Sequence, residues 1–199
     1  MNEAKEPMLS DIVQISGQYQ RSIRIDGDIG PAAALDGYVF HATASSVVDG
    51  MCLQLTGTRQ RCFTWTGPFG GGKSSLAVAL ASALHSDSGL RKKARAALHL
   101  DSKPAFDKAF PVRKGWLVVP VVGQRGSVIT ALGGAIRKAQ GKSFDGRNKP
   151  NAQSVISELK AEAKARPNDG VLVFIDEMGK FLEASALGSG DDVYFFQEL

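Results

Sequence analysis

An α/β domain with a mostly parallel sheet is the fold this sequence predicts, on three observations. Residues 61–84 pass from a β-branched and aromatic run (Arg61–Thr66) through a glycine-rich turn into an alanine-rich segment with Leu76, Leu80 and Leu84 at helical spacing. That order is strand, loop, helix. Val171–Ile175 is an unbroken apolar run, as expected of a strand covered on both faces of a parallel sheet, and it ends in Asp176-Glu177. Between these two stretches helical and extended patterns alternate, which is what the crossovers of parallel strands require.

The 199 residues are enough for one domain with a real core, and a content of 43% hydrophobic and 22% charged residues is that of a globular chain. No run approaches the roughly 18 apolar residues of a membrane span. The polar start (Asn2, Glu3, Lys5, Glu6) lacks the apolar region of a signal peptide, so a cytoplasmic, non-membrane protein is expected. Cys52 and Cys62 have no histidine at metal spacing and are read as buried thiols.

Taken in order, residues 1–18 form a loose lead-in, and residues 1–42 an N-terminal extension. Tyr19–Asp26 alternates polar and apolar residues as a half-exposed strand does, with Asp26-Gly27 as its turn. Tyr38-Val39-Phe40 reads as a short extended piece. Thr43 can cap a helix from Ala44 to about Leu55, stopped by Gly57. After the loop helix comes a second, basic helical piece beginning Arg91-Lys92-Lys93-Ala94-Arg95. Trp116–Val122 is an apolar strand whose Pro120 cannot donate to a ladder, which favours an edge position. Ser127 can cap a helix with Val128, Ile129, Leu132 and Ile136 on one face, weakened by roughly 1 kcal/mol at each of Gly133 and Gly134. Asn151 caps an amphipathic helix that ends at Arg166–Gly170. A last helical start lies at Asp191–Phe196.

Charge is uneven along the chain. Residues 85–150 hold 14 Lys and Arg against 4 acids, a net +10, so with a total of +4 the remainder carries −6. A basic middle can neutralise nucleic-acid phosphates, yet it has few aromatics for stacking, and solvated helix faces explain it as simply.

The chemistry is concentrated in two places. Gly67-Pro68-Phe69-Gly70-Gly71-Gly72-Lys73-Ser74 matches the pattern G-x-x-x-x-G-K-[ST] between a strand pattern and a helix pattern, and Ser75 continues it. Glycines without Cβ atoms let backbone N–H groups turn around phosphates while the helix presents its positive end. Lys73 offers a mobile ammonium to β- and γ-phosphates, and the Ser74 hydroxyl is a hard ligand for Mg²⁺. The second place is the end of the Val171–Ile175 run, where ligands bind in open α/β sheets. There Asp176 would order the Mg²⁺ shell and Glu177 would polarise the attacking water.

Together the segments Gly67–Ser74 and Val171–Glu177 resemble the P-loop NTPases of the additional-strand, catalytic-glutamate division, which includes AAA+ and related signalling ATPases. Met178–Glu183 is also similar to the segment that follows the acids in large bacterial ATP-binding proteins, some associated with phage defence. The resemblance implies a three-layer sandwich over residues 43–199, with ATP and Mg²⁺ as cofactors and strand order 5-1-4-3-2. It also implies that the strand between the loop strand and the acid-bearing strand follows both in the chain. Too little sequence follows Glu177 to supply that strand, a sensor or an arginine finger. The expectation is therefore an incomplete core, the N-terminal part of a longer protein or a truncated gene product.

Asn148-Lys149-Pro150-Asn151 departs from the guanine-reading motif at its acid, so guanine specificity is unsupported, and ATP is what the resemblance implies. Tyr38, Val39 and Phe40 stand where such proteins cover the base, although ordinary core packing accounts for them too. Three functions remain open at this point: an ATPase coupled to a conformational change, a nucleotide-binding switch or scaffold with little turnover, and a nucleic-acid-associated motor. A homo-oligomer or partner subunit is compatible with each.

Overall fold

The computed structural model describes residues 8, 12 and 13, 22–144, 149–191 and 193–199. The lead-in, apart from Met8, Ile12 and Val13, lies outside them, as do Tyr19–Arg21 of the expected first strand, Asp145 and Asn148 of the polar loop, and Asp192.

Short helix α1 (Ile25–Asp28) and a 3₁₀ turn (Ala32–Leu35) precede α2 (Ala42–Gly57), α3 (Lys73–Ala83), α4 (Ser88–Ala97) and α5 (Pro104–Ala109). Strand β1 (Leu117–Val122), helices α6 (Val128–Ala139) and α7 (Ala152–Ala165), strand β2 (Val171–Asp176) and helices α8 (Gly179–Ala186) and α9 (Phe195–Glu198) follow. The strands pair in parallel, with Leu117 opposite Val171 and Val122 opposite Asp176.

The expected three-layer sandwich with a mostly parallel sheet is not the fold. Of the described residues 51% are helical and 7% lie in strands, and the sheet has two strands among them. A ladder needs a neighbour, and among the described residues Arg61–Thr66 has none. The segment runs without secondary structure, and among the described residues no backbone hydrogen bond joins it to another. Its side chains still alternate, Phe63 and Trp65 half-buried and Arg61, Cys62, Thr64 and Thr66 exposed, and Trp65 lies 6.0 Å from Phe174 between ring centroids. With β1 as its one ladder partner, β2 is half-buried along its whole length, not enclosed on both faces as the apolar run predicts.

The expected strand ahead of α1 is also corrected where it is described. Arg24 N donates to Asp28 Oδ2 at 2.8 Å while Asp28 N donates to Arg24 O at 2.8 Å, and these reciprocal bonds close a helical turn. Tyr38–Phe40 has no regular structure; Tyr38 and Phe40 pack against the main core while Val39 is exposed, and burial pushes the Tyr38 hydroxyl up to about 12. The cap of α2 is His41, not Thr43, because His41 Nδ1 accepts from Ala44 N at 3.3 Å. Ser127 and Asn151 do cap α6 and α7, the latter in a reciprocal box with Ser154. Of the two thiols Cys52 is buried, which pushes it up to about 11, whereas Cys62 is exposed.

The core has two centres. One packs α2, α3, α4 and α5 around Val48, Leu80, Leu84, Leu98 and Phe106. The other packs β1, α6, α7, α8 and α9 around Val119, Leu132, Ile136, Val155 and Phe181. Ile25, Ala77 and Val78, with Trp65 and Phe174, pack between α1, α3 and β2. Asp169 ties the loop before β1 to the one before β2, accepting from the backbone N–H of Arg113 (2.7 Å), Gly115 (3.0 Å) and Lys114 (3.1 Å).

Helix α3 is buried all round from Leu76 to Ala83, since its alanines admit close neighbours. Within it the Ser82 hydroxyl is wholly buried with no hydrogen-bond partner among the described residues. An unmet buried hydroxyl costs about 1–3 kcal/mol. Ser82→Ala is therefore expected to stabilise the fold by about 1 kcal/mol, read as a raised denaturation midpoint at unchanged m-value.

Candidate functional site

The turn into α3 is shaped by glycine. Gly70 (φ +78°) and Gly72 (φ +77°) adopt the left-handed region, where a side chain is strained, and Gly71 N closes onto Pro68 O at 3.2 Å. Gly72 is itself the residue that precedes helical Lys73, so the loop feeds directly into the first turn of α3. The N–H groups of that first turn lack intrahelical acceptors, as at any helix start. Lys73 folds back, its Nζ donating to Gly67 O (3.0 Å) and Pro68 O (2.8 Å). Phe69 is 98% exposed at the tip of the loop, and Ser75 follows Ser74 within α3.

The acids arrive on β2. Asp176 is its last residue, and its Oδ2 accepts from Ser74 Oγ at 2.7 Å, joining residues 102 positions apart. Its Oδ1 accepts from Glu177 N at 2.9 Å. Glu177 has φ +52°, uncommon outside glycine, and its carboxylate pairs with Lys180. The neighbouring chain at the end of β1 shapes this turn. Gly123 N donates to Asp176 O at 2.8 Å, and a Cβ on Gly123 would lie 2.1 Å from Glu177 O. No sequence motif singles out Gly123; the signal available was its place one residue past β1, level with Glu177 in the parallel register.

Beyond the acids opens a cleft of about 600 Å³, lined by Arg24, Asp26, Gly123, Lys138, Glu177 and Lys180 among others. Asp26 is held below the usual carboxylate range, first by its hydrogen bond from Arg24, against the opposing effect of burial. No residue of the Gly67–Ser75 loop is among those that line it.

The chemistry of the donor set suits Mg²⁺. Ser74 Oγ and Asp176 Oδ2 are two touching hard oxygens, and Mg²⁺ keeps several waters and phosphate oxygens instead of an all-protein cage. Consistent with so sparse a set, no group of three or more His, Cys, Asp or Glu that could hold a metal stands among the described residues.

Three of the four cations of Arg91–Arg95 have internal acceptors. Lys93 pairs with Asp36, Arg95 with Asp107, and Arg91 donates to the carbonyls of His85 and Ser86. A nucleic-acid backbone would have to compete with these internal acceptors. Among the described residues no helix is long and apolar enough to cross a membrane. No protein-family model, curated protein or solved structure matches the chain.

Proposed function

We propose that this chain binds ATP with Mg²⁺ at the head of α3 and that Glu177 activates water for its hydrolysis, coupled to a conformational change. The observation that carries the reading is the 2.7 Å Ser74–Asp176 hydrogen bond, because it unites two motifs that the chain separates by 102 residues. A glycine-turned helix start, an ammonium and two carboxylates serve one reaction when they share one site.

In this mechanism Lys73 exchanges the Gly67 and Pro68 carbonyls for β- and γ-phosphate oxygens, and the N–H groups of the loop and first turn surround the phosphates. Ser74 and Asp176 would hold Mg²⁺, which supplies charge neutralisation at the phosphates. Glu177 leaves Lys180 and accepts a proton from the attacking water, and the γ-phosphoryl group passes to that water as ADP departs.

Titration of ATP with Mg²⁺ against wild type and Lys73→Ala tests the binding step. The variant is expected to bind at least about tenfold more weakly, since a hydrogen bond to a charged group contributes about 1.5–3 kcal/mol. Equal affinity for both proteins would remove the reading.

A second reading, a switch that holds ATP with little turnover, is favoured by the Glu177–Lys180 ion pair, which engages the carboxylate that hydrolysis needs. Phosphate release by wild type separates the two.

A further inference from the structure

His41 belongs to none of the sequence motifs, yet its ring stands beside the phosphate loop. A Cβ built on Gly72, the residue that heads α3, would meet His41 Nε2 at 3.8 Å. The other ring nitrogen is already engaged, as Nδ1 accepts from Ala44 N at 3.3 Å and so caps α2. A neutral imidazole carries a single N–H, so with Nδ1 accepting, the proton resides on Nε2. The cap thereby fixes a tautomer whose donor lies next to Gly72.

The two helices that carry donor and loop contribute to one buried cluster. Val48, Met51 and Cys52 of α2 and Leu76, Ala79 and Leu80 of α3 are buried in one cluster, so the head of α2 is carried on the same core as the head of α3. His41 is itself exposed and open to a ligand. An oriented donor held by a rigid element beside a helix start is what an anion at that start requires.

We infer that His41 is a further phosphate-binding residue of the site, donating from Nε2–H to a phosphate oxygen of the nucleotide at the head of α3. The inference rests on the nucleotide reading above and adds to it a residue from outside both motifs.

Asparagine separates this role from capping, because its side-chain oxygen caps a helix start well but cannot reproduce the Nε2 donor. Wild type, His41→Asn, His41→Ala and Lys73→Ala are titrated with ATP, ADP and adenosine, and each is melted thermally. His41→Asn is expected to keep the wild-type midpoint and to bind ATP and ADP about five- to tenfold more weakly, with adenosine unchanged. His41→Ala should show the same loss of affinity and melt a few degrees lower, as the cap is gone.

Wild-type ATP affinity in His41→Asn, with Lys73→Ala impaired, overturns the inference and leaves the nucleotide reading standing. An equal loss for adenosine overturns the phosphate assignment. If Lys73→Ala also binds as wild type does, the nucleotide reading fails and the inference falls with it.

Discussion

Glu177→Gln is expected to lower the rate of phosphate release about a thousandfold while ATP affinity stays within about threefold of wild type. The amide keeps the size of the side chain and removes the base, and a positioned general base contributes typically 10²–10⁴-fold. Affinity is spared because in the proposed site the nucleotide is held by the loop, Lys73 and Ser74, and the last two lie on α3, not β2. Steady-state phosphate release and equilibrium titration on the same preparation check the two halves. A variant with wild-type turnover would assign the base elsewhere. A wild type without turnover, beside intact binding, would turn the conclusion toward the switch.

Gly123→Ala is expected to have the next largest effect. Its new methyl carbon would lie 2.1 Å from Glu177 O and 3.1 Å from Asp176 O, and both neighbours are backbone, so the turn bearing the acids must move. A displacement of about 1 Å at a reacting group can cost on the order of a hundredfold in rate. We therefore expect turnover to fall about a hundredfold, with KM for ATP within a few-fold of wild type, and stability to drop by about 1–3 kcal/mol from overpacking. Since Gly123 touches neither nucleotide nor water in the proposed reaction, it acts by positioning. A wild-type rate in a folded Gly123→Ala protein would show that the Glu177 turn need not be held.

Much of the site is legible in the sequence because its requirements are local. Gly70 and Gly72 are read as turn residues, and both adopt positive φ; Lys73 and Ser74 then fall on the first turn of α3 because the helix pattern begins there. Asp176 and Glu177 could be placed at a strand end from the apolar run alone. The sheet could not be read this way, since strand pairing is a property of neighbours. Arg61–Thr66 has strand composition and alternating burial but no partner, and composition cannot reveal that. His41 and Gly123 were missed for a related reason: each meets the site through contacts between segments distant in the chain, and neither belongs to a spaced pattern. At α1 the Asp28 carboxylate, bonded to Arg24 N, outweighed the alternation of Ile23 and Ile25.

The Asp169 carboxylate, which gathers the amides of Arg113, Lys114 and Gly115, sits at the end of the strand pair opposite the acids. At about 3.3 Å per residue, the six residues of β2 put it roughly 20 Å from Asp176. The Asp169 corner and the proposed reaction centre thus lie at opposite poles of one short ribbon. Substitutions at Asp169 are expected to change how firmly the protein resists heat while leaving the proposed chemistry alone, so the two can be adjusted separately.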